Sequence, residues 1–233
     1  TRENKFSVSL IDGVTGSGKT EVYFEVIAEV LRKGLQILIL VPEIALARPF
    51  IERFSKRFGA APVEWHSELP TKKRRRIWRA ILEGNVNVLV GARSALFLPF
   101  PNLGLLVVDE EHESAFKQME GSRYHARDMS ILRAKCTDIP IILASATPSL
   151  ETLHNSETGR FRKVSLSQRY GEATLPKVEL IDIRSSMNRN DSWISPMLQK
   201  AIQATIERDE QVLLFLNRRG YAPLNICKVC GHR

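Results

Sequence analysis

The sequence of 233 residues is poor in cysteine, with three residues of that type, and it contains no apolar run as long as a membrane span. A transmembrane helix needs about 20 consecutive apolar residues. Only Cys227 and Cys230 lie close together, which does not make the framework of a disulfide-rich secreted domain. We therefore expect a protein of the reducing cytoplasm with no membrane partner.

Acidic residues are also scarce relative to basic ones. The chain has 26 Asp and Glu against 34 Lys and Arg, which gives a formal net charge of +8. A basic surface of this kind favours a polyanionic partner such as nucleic acid. The densest positive run is KKRRR at 72–76, and the sequence leaves open whether it is a solvated helix face or a contact to the DNA backbone.

The most specific motif is an eight-residue stretch that matches the phosphate-binding pattern G-x-x-x-x-G-K-[ST]. It consists of Gly13, Val14, Thr15, Gly16, Ser17, Gly18, Lys19 and Thr20. Glycines let the backbone N–H groups of such a loop point at phosphates, the lysine reaches the β- and γ-phosphates, and the threonine hydroxyl ligates Mg²⁺. A predicted strand precedes the loop and a predicted helix follows it, so we expect a site for ATP and Mg²⁺.

Apolar runs alternate with helical patterns through most of the chain. The buried strands that we predict are Leu35–Val41, Val86–Val90, Leu103–Val108 and Ile139–Ala144. This rhythm is typical of an α/β fold with a mainly parallel sheet, whose ligand lies beyond the carboxyl ends of the strands. The pattern weakens near residue 170 and then resumes with strand Val178–Ile183, helix Pro196–Arg208 and strand Gln211–Leu216. We place two domains at 1–170 and 171–233.

Acidic residues follow the predicted strand that ends at Val108. Opposite a phosphate-binding loop, Asp109 is expected to hold Mg²⁺ and Glu110 to polarise the attacking water, so that Lys19, Asp109 and Glu110 form the catalytic group. His112 either senses the γ-phosphate or caps the turn. Arg93 and Ser94 also follow a buried strand and are candidates for a phosphate contact from the cleft.

Three other residues are assigned to the interior of the fold. Trp65 and Trp78 lie in apolar patterns, and we expect them in the core rather than stacked on bases. Cys136, at the end of a predicted helix, is expected to be a buried structural thiol.

The stretch Ser145-Ala146-Thr147 resembles the S-A-T motif that couples nucleotide hydrolysis to strand binding in superfamily 2 helicases. Taken with other stretches, the chain resembles the PriA family of bacterial replication-restart helicases. The matching stretches are GVTGSGKTEVY (13–23), LVPEIAL (40–46), GARSALFLPF (91–100), VVDEEHE (107–113), RYHARD (123–128), SATPSLET (145–152), LFLNRRGYAP (214–223) and CKVCGH (227–232).

The resemblance implies the central part of a longer protein: a RecA-like P-loop lobe and the start of a second RecA-like lobe. It implies ATP-driven movement on forked and single-stranded DNA at stalled replication forks, which restarts replication by primosome assembly. The implied partners are DNA, primosome proteins and single-strand-binding protein.

The same resemblance implies roles for particular residues. Phe116, Tyr124 and His125 fall in the family's aromatic-rich loop, where they would stack on single-stranded DNA. Ser145 and Thr147 would couple nucleotide hydrolysis to DNA binding. Cys227 and Cys230 would bind Zn²⁺, in a site that the further cysteine pairs of such proteins, downstream of this stretch, would complete. Two stretches depart from the family pattern. Ser122 stands where an aromatic residue is usual, and Ala47-Arg48-Pro49 stands where the family has Thr-Pro-Gln.

Two alternatives remain. One is another superfamily 2 DNA translocase, of the fork-reversal or restriction type, which the DEEH and CxxCGH stretches disfavour. The other is a nucleotide- and DNA-binding module that does not turn ATP over by itself, and for this chain alone we expect weak nucleotide binding and poor hydrolysis.

Overall fold

The computed structural model describes residues 5–43, 48–171, 177–181 and 194–215. The chain divides into two compact units, Thr1–Thr174 and Leu175–Arg233. Each unit is described by itself below. None of the helices in the described residues is long and apolar enough to cross a membrane.

The first unit alternates strands and helices along the chain. Its strands are β1 (Ser7–Gly13), β2 (Gln36–Leu40), β3 (Val63–Trp65), β4 (Val88–Gly91), β5 (Leu103–Asp109), β6 (Lys117–Gln118), β7 (Tyr124–His125), β8 (Pro140–Ser145) and β9 (Arg162–Leu166). Its helices are α1 (Lys19–Arg32), α2 (Arg48–Phe58), α3 (Thr71–Leu82), α4 (Ala126–Cys136) and α5 (Leu150–Glu157), with 3₁₀ turns at Arg93–Phe97 and Ser114–Phe116.

Seven of the strands form one sheet in the order β3-β4-β2-β5-β8-β1-β9. Every pair in it is parallel. The short strands β6 and β7 pair antiparallel as a separate hairpin. The predicted α/β class with a parallel sheet is therefore confirmed, and the carboxyl ends of the strands meet at one edge as the prediction requires.

Helices cover both faces of the sheet, because its central strands are apolar at every position. Strand β2 is buried throughout, with Ile37 and Ile39 on one face and Leu38 and Leu40 on the other. The Ile37 face packs against α1 and α2. The opposite face packs against α3 and α4, with Leu153 of α5 at its margin. This alternation is the pattern of a strand that two helical layers cover.

Two predictions about burial are wrong. Trp78 of α3 is 43% exposed, and Cys136 at the end of α4 is exposed. Helix α3 lies beside β3 and β4 at the margin of the sheet, so a narrow apolar stripe suffices, and Ile77 and Ile81 supply it. Trp65 is buried as predicted.

The described part of the second unit contains the helix α6 (Pro196–Ile206). Ser195 caps it, because its Oγ accepts a hydrogen bond from the backbone N–H of Leu198 at 3.2 Å. The predicted flanking strands are not formed at 177–181 and 211–215, where Leu180 and Leu213 are 95% and 89% exposed. A strand needs a ladder partner, and the described residues of this unit supply none. The rest of those two predictions lies outside the described residues.

Candidate nucleotide-binding site

The phosphate-binding loop joins the end of β1 to the start of α1. Gly16 and Gly18 have φ of 79° and 85°, the left-handed region that glycine adopts without strain. At Gly13, a Cβ atom would lie 2.6 Å from Ser17 Oγ and 2.9 Å from Leu166 Cβ. The loop therefore needs glycine at these positions. Because these residues have no side chain, the backbone N–H groups of the loop can approach a phosphate chain closely.

Strand β9 and the residues after it support the loop from behind. The N–H of Val14 donates to the carbonyl of Leu166 at 3.2 Å, and the N–H of Tyr170 donates to the carbonyl of Gly16 at 2.9 Å. The segment that follows the sheet is thus tied to the loop by backbone hydrogen bonds. Local sequence patterns do not indicate this contact, because it joins residues more than 150 positions apart.

The polar groups of the loop fit an anion. Lys19 is 9% exposed, and its Nζ donates to the carbonyl of Gly13 at 2.8 Å. Gly18 caps α1 without a side-chain hydrogen bond, so the N–H groups of Lys19 and Thr20 stay open to an anion, whereas that of Glu21 donates to the Gly18 carbonyl at 2.9 Å. Ser17 Oγ is buried and has no hydrogen-bond partner in the described part of the chain. A bound polyphosphate would satisfy each of these donors.

Tyr23 connects the two residues predicted to hold Mg²⁺. Its phenol donates to Asp109 Oδ2 at 3.0 Å, and the hydroxyl of Thr20 also hydrogen-bonds it. The ring is fully buried among the aromatic side chains of α1 and α2. We missed this role because Tyr23 falls on the apolar stripe of α1, where its ring alone explains its position.

Burial changes the acidity of this group. Removal from water, reinforced by the charge of Glu110, raises the pKa of Asp109 from 3.8 to about 6, although Tyr23 and Lys19 oppose the shift. Burial and the nearby Asp109 also raise the pKa of Tyr23 well above its usual value. A divalent cation would relieve the penalty on the carboxylate, since it supplies the missing positive charge. The residues present therefore fit Mg²⁺ bound with a nucleotide.

One cavity of about 810 Å³ brings the predicted residues together. Thr15 to Thr20 of the loop line it, together with Asp109 and Glu110 from the end of β5. Glu110 has φ 49°, so the chain turns sharply there and sets the two carboxylates in different directions. The sequence did not identify four further lining residues, Glu21 and Val22 of α1, Arg53 of α2 and Tyr170.

Behind the cavity, the acidic motif contacts the S-A-T stretch. His112 Nδ1 lies 2.7 Å from Ser145 Oγ, and Ser145 Oγ accepts from the N–H of Thr147 at 3.0 Å. The ring of His112 also lies 3.7 Å from a carboxylate oxygen of Glu110. The imidazole ring of His112 therefore contacts both Ser145 and Glu110, so a movement of Ser145 would change the position of Glu110 through that ring.

Glu111 anchors the same turn in the core. It is fully buried, and its carboxylate binds Arg127 Nη1 at 3.1 Å, the N–H of Ser149 at 2.7 Å and Thr152 Oγ1 at 3.0 Å. Arg127 is itself 6% exposed. The sequence does not indicate this cluster, because a glutamate within a run of acidic residues has the pattern of a solvated turn.

The residues predicted to contact DNA are placed differently from one another. Phe116 is fully buried and cannot stack on a base, which corrects that prediction: the 3₁₀ turn at Ser114–Phe116 directs its ring into the core. Tyr124 is half-buried and makes an edge contact with Phe97, with ring centroids 5.2 Å apart. Burial lowers the pKa of His125, and the like charge of nearby Arg127 lowers it further. The ring is therefore neutral at physiological pH.

Arg93 supports the loop that contains these residues. Its Nη1 donates to the carbonyls of Ala115 and Lys117, both at 3.0 Å. Ser94 beside it is exposed. Arg93, Ser94 and Tyr124 line a second cavity of about 880 Å³, and that cavity does not include Thr147 or Ser145.

The predicted zinc ligands Cys227 and Cys230 lie outside the described residues, as does Ala47. Within 5–43, 48–171, 177–181 and 194–215, no group of three or more His, Cys, Asp or Glu side chains could hold a metal ion.

Comparison with known proteins supports the helicase resemblance. The family model described as "DEAD/DEAH box helicase" matches residues 4–156. The replication restart protein PriA of Rickettsia felis is 51% identical over 225 residues, which are 97% of this chain and 35% of that protein. PriA of Bacillus subtilis is 44% identical over 230 residues, 98% of this chain and 29% of that protein. The chain thus spans about a third of the length of the curated relatives it matches.

Solved structures resemble the chain in fold. The helicase domain of Pyrococcus furiosus Hef has a TM-score of 0.50 and 22% identity, and covers 71% of this chain and 35% of that one. RecG bound to a three-way DNA junction has a TM-score of 0.51 and 21% identity, and covers 70% of this chain and 21% of that one. At such identities the likeness is to the fold alone.

Proposed function

The chain belongs to the DEAD/DEAH box helicase family, and from that premise we propose that it is the nucleotide-binding part of an ATP-dependent DNA helicase of the replication-restart type. The observation that carries the proposal is the shared cavity of the phosphate-binding loop and the Asp109–Glu110 turn. A loop alone indicates nucleotide binding, whereas a loop opposite two carboxylates also supplies the parts for hydrolysis.

Each residue of the cavity has a role in this proposal. The loop N–H groups and Lys19 bind and orient the β- and γ-phosphates. Thr20 and Asp109 would hold Mg²⁺, which when bound neutralises charge on the phosphate oxygens. Tyr23 keeps these two ligands together through its phenol. Glu110, at the sharp turn, orients the attacking water and accepts its proton.

The contact between His112 and Ser145 supports coupling to DNA. In the proposal, DNA bound near the S-A-T stretch shifts Ser145, and His112 transmits the shift to Glu110. The neighbouring cavity, which Arg93 and Tyr124 line, is the candidate path for the strand. These roles rest on the two contacts of His112 and on the helicase family of the chain.

Replication restart is the finer part of the proposal. Its support is the identity of 51% and 44% to proteins named for that process. We propose forked and single-stranded DNA as the substrate, primosome proteins and single-strand-binding protein as partners, and the bacterial cytoplasm as the location. Zinc at Cys227 and Cys230 is proposed on the same resemblance. Since the chain spans about a third of these relatives, all of these remain proposals.

A second candidate is a nucleotide-binding module without rapid turnover. Arg53 lines the cavity, but its Nη2 pairs with Glu21 Oε1 at 2.8 Å. Lys19 is therefore the cation of the described cavity wall best placed to stabilise charge that develops on the γ-phosphate. In related phosphate-loop enzymes, an additional arginine at the γ-phosphate typically accelerates hydrolysis by about 10³ to 10⁵. A site that relies on Lys19 would therefore bind the nucleotide and hydrolyse it slowly.

The deciding experiment measures ATP hydrolysis by the chain with and without forked DNA, beside Lys19→Ala and the exposed control Lys56→Ala. We expect hydrolysis that DNA stimulates, that Lys19→Ala abolishes and that Lys56→Ala leaves unchanged. Nucleotide binding without hydrolysis in any condition would favour the binding module. Hydrolysis that ignores DNA would overturn the helicase proposal.

A further inference from the structure

Helix α3 carries a concentration of positive charge that the ATP site does not use. Its twelve residues Thr71–Leu82 include no acidic residue. The six cations are Lys72, Lys73, Arg74, Arg75, Arg76 and Arg79, and all of them are exposed. Within the described part of the chain, none of the six forms an ion pair, whereas Arg53 and Arg57 of α2 pair with Glu21.

Four of these cations share one face. Lys72, Arg75, Arg76 and Arg79 follow the i, i+3, i+4, i+7 spacing, which places them along one side of a helix. The stripe is about 10.5 Å long at about 1.5 Å per residue. A duplex strand has one phosphate per about 3.4 Å of helix axis, and phosphates are farther apart in an extended single strand, so the stripe is long enough to contact about two successive phosphates of a single strand. Leaving so many like charges unpaired is unfavourable in isolation, and a polyanion would relieve it.

An aromatic groove lies beside the stripe. A cleft of about 470 Å³ is lined by Trp65, Thr71, Arg74, Arg75, Trp78 and Arg79. Its base is Trp65, over whose ring the guanidinium carbon of Arg74 lies at 5.1 Å from the centroid. Trp78 stands 43% exposed at its wall. An exposed indole between guanidinium groups offers a nucleotide both a stacking surface and phosphate ligands.

This surface is separate from the nucleotide cavity. Helix α3 follows β3, the outermost strand of the sheet, and β3 is five strand positions from β1, which leads into the phosphate-binding loop. At about 4.8 Å per strand the separation is about 24 Å. The two sites can therefore be occupied and tested independently.

We propose that α3 is a second nucleic-acid site, which binds the backbone of a single strand along the cationic stripe and stacks one base on Trp78. An acidic peptide could also pair with arginines in the groove. The stripe favours a nucleic acid, because Lys72 and Arg76 continue the charge past the groove and suit a polymer of regularly spaced anions. The proposal does not depend on ATP hydrolysis.

The first test measures binding of a fluorescent oligothymidine by the full chain without nucleotide, over a series of salt concentrations. The variant is Arg75→Gln with Arg79→Gln, and the matched control is Lys135→Gln with Arg162→Gln, two exposed cations elsewhere. Neutralising two backbone contacts should lower the slope of log affinity against log salt by about 1.4 in magnitude for a single strand. The control should keep the original slope.

The second test follows stacking. Single-stranded DNA should quench tryptophan fluorescence, Trp78→Phe should remove that quench while keeping affinity, and Trp78→Ala should weaken binding about tenfold. Lys19→Ala should bind as the parent does, so failure of the helicase proposal would leave this one standing. Unchanged DNA binding in the α3 variants would overturn the proposal. If the α3 variants lost affinity for an aspartate-rich peptide but not for DNA, the surface would be a peptide site and the proposal would be wrong.

Discussion

The carboxylate of Asp109 is largely removed from water beside the charge of Glu110, and these effects raise its pKa to about 6. A raised pKa means that the folded state binds a proton more tightly than the unfolded chain does. Above pH 6 the folded protein must hold the ionised form, so the group lowers the free energy of unfolding there. Below about pH 4, where both states are protonated, this loss disappears.

Asp109→Asn should therefore stabilise the protein without nucleotide or magnesium. Two pKa units correspond to about 3 kcal/mol, and the retained contact with Tyr23 sets the expected gain at about 1 to 3 kcal/mol at pH 7.5. The gain should shrink as the pH falls from 6 to 4. Urea unfolding at several pH values measures it, with exposed Glu157→Gln as control. A loss of stability at pH 7.5, or a gain that does not change with pH, would contradict this account.

Single residues also mark where the sequence was informative. The positions of Lys19, Thr20, Asp109 and Glu110 at one cavity follow from motifs that stand at the ends of strands, and parallel topology brings such ends together. Their chemical roles remain predictions. Tyr23 was not foreseen, since the periodicity that places a ring in the core says nothing about where its hydroxyl donates.

Side-chain direction in short turns was harder to foresee than position in the sheet. Phe116 was expected at a DNA-binding surface and lies in the core, because one 3₁₀ turn decides which way the ring points. Trp78 was expected in the core and is exposed, because α3 packs at the margin of the sheet. Apolar pattern predicts which helix is amphipathic more reliably than it predicts how wide the buried stripe is.

At the scale of elements, the Glu111–Arg127 pair joins the end of β5 to α4 and α5. Its carboxylate is satisfied by Arg127 together with Ser149 and Thr152 of the α5 start. A buried pair in which both carboxylate oxygens are hydrogen-bonded fixes the relative position of three elements. Removal of one partner leaves the other charged and unpaired in the core, which costs far more than the pair contributes.

Arg127→Met should therefore lower the free energy of unfolding by about 3 to 5 kcal/mol. Adding Glu111→Gln removes the unpaired charge and keeps one oxygen to accept from the Ser149 N–H, while the Thr152 hydroxyl can rotate to accept from the new amide, so the double variant should recover at least about 1 kcal/mol. Guanidinium unfolding of the parent, both single variants and the double variant closes the cycle. If the two single losses simply added, the pair would not be coupled and this description would be wrong.

The elements of the first unit were predictable because each is a buried strand or an amphipathic helix with a clear period. Strands β2, β5 and β8 lie within about one or two residues of their predicted bounds, the usual uncertainty at element ends. The second unit was less predictable. Its helix α6 has a serine cap and a proline in the first turn, whereas the adjacent apolar residues such as Leu180 and Leu213 are exposed without a strand partner in the described ranges.

At the scale of the whole molecule, the chain divides after Thr174, and the predicted boundary near residue 170 remains a prediction. The position of the division matters for the ATP site. Strand β9 pairs with β1, and Tyr170 beyond it binds the carbonyl of Gly16. The first unit as divided keeps both supports of the phosphate-binding loop.

A chain that ends at Thr174 should therefore bind an ATP analogue with the affinity of the full chain, whereas one that ends at Arg160 should bind at least about tenfold more weakly. The shorter chain exposes the edge of β1 and loses the hydrogen bonds to Val14 and Gly16. Calorimetry measures affinity, and circular dichroism reports whether the sheet persists.

The full chain provides a test that does not depend on how a shortened chain folds. Tyr170→Pro removes the N–H that donates to Gly16, while Tyr170→Ala keeps it and removes only an exposed ring. Since a backbone hydrogen bond contributes about 1 kcal/mol, the proline variant should bind the analogue about fivefold more weakly than the alanine variant. Equal affinities would show that the segment after β9 merely lies beside the loop, and the division after Thr174 would then have no bearing on nucleotide binding.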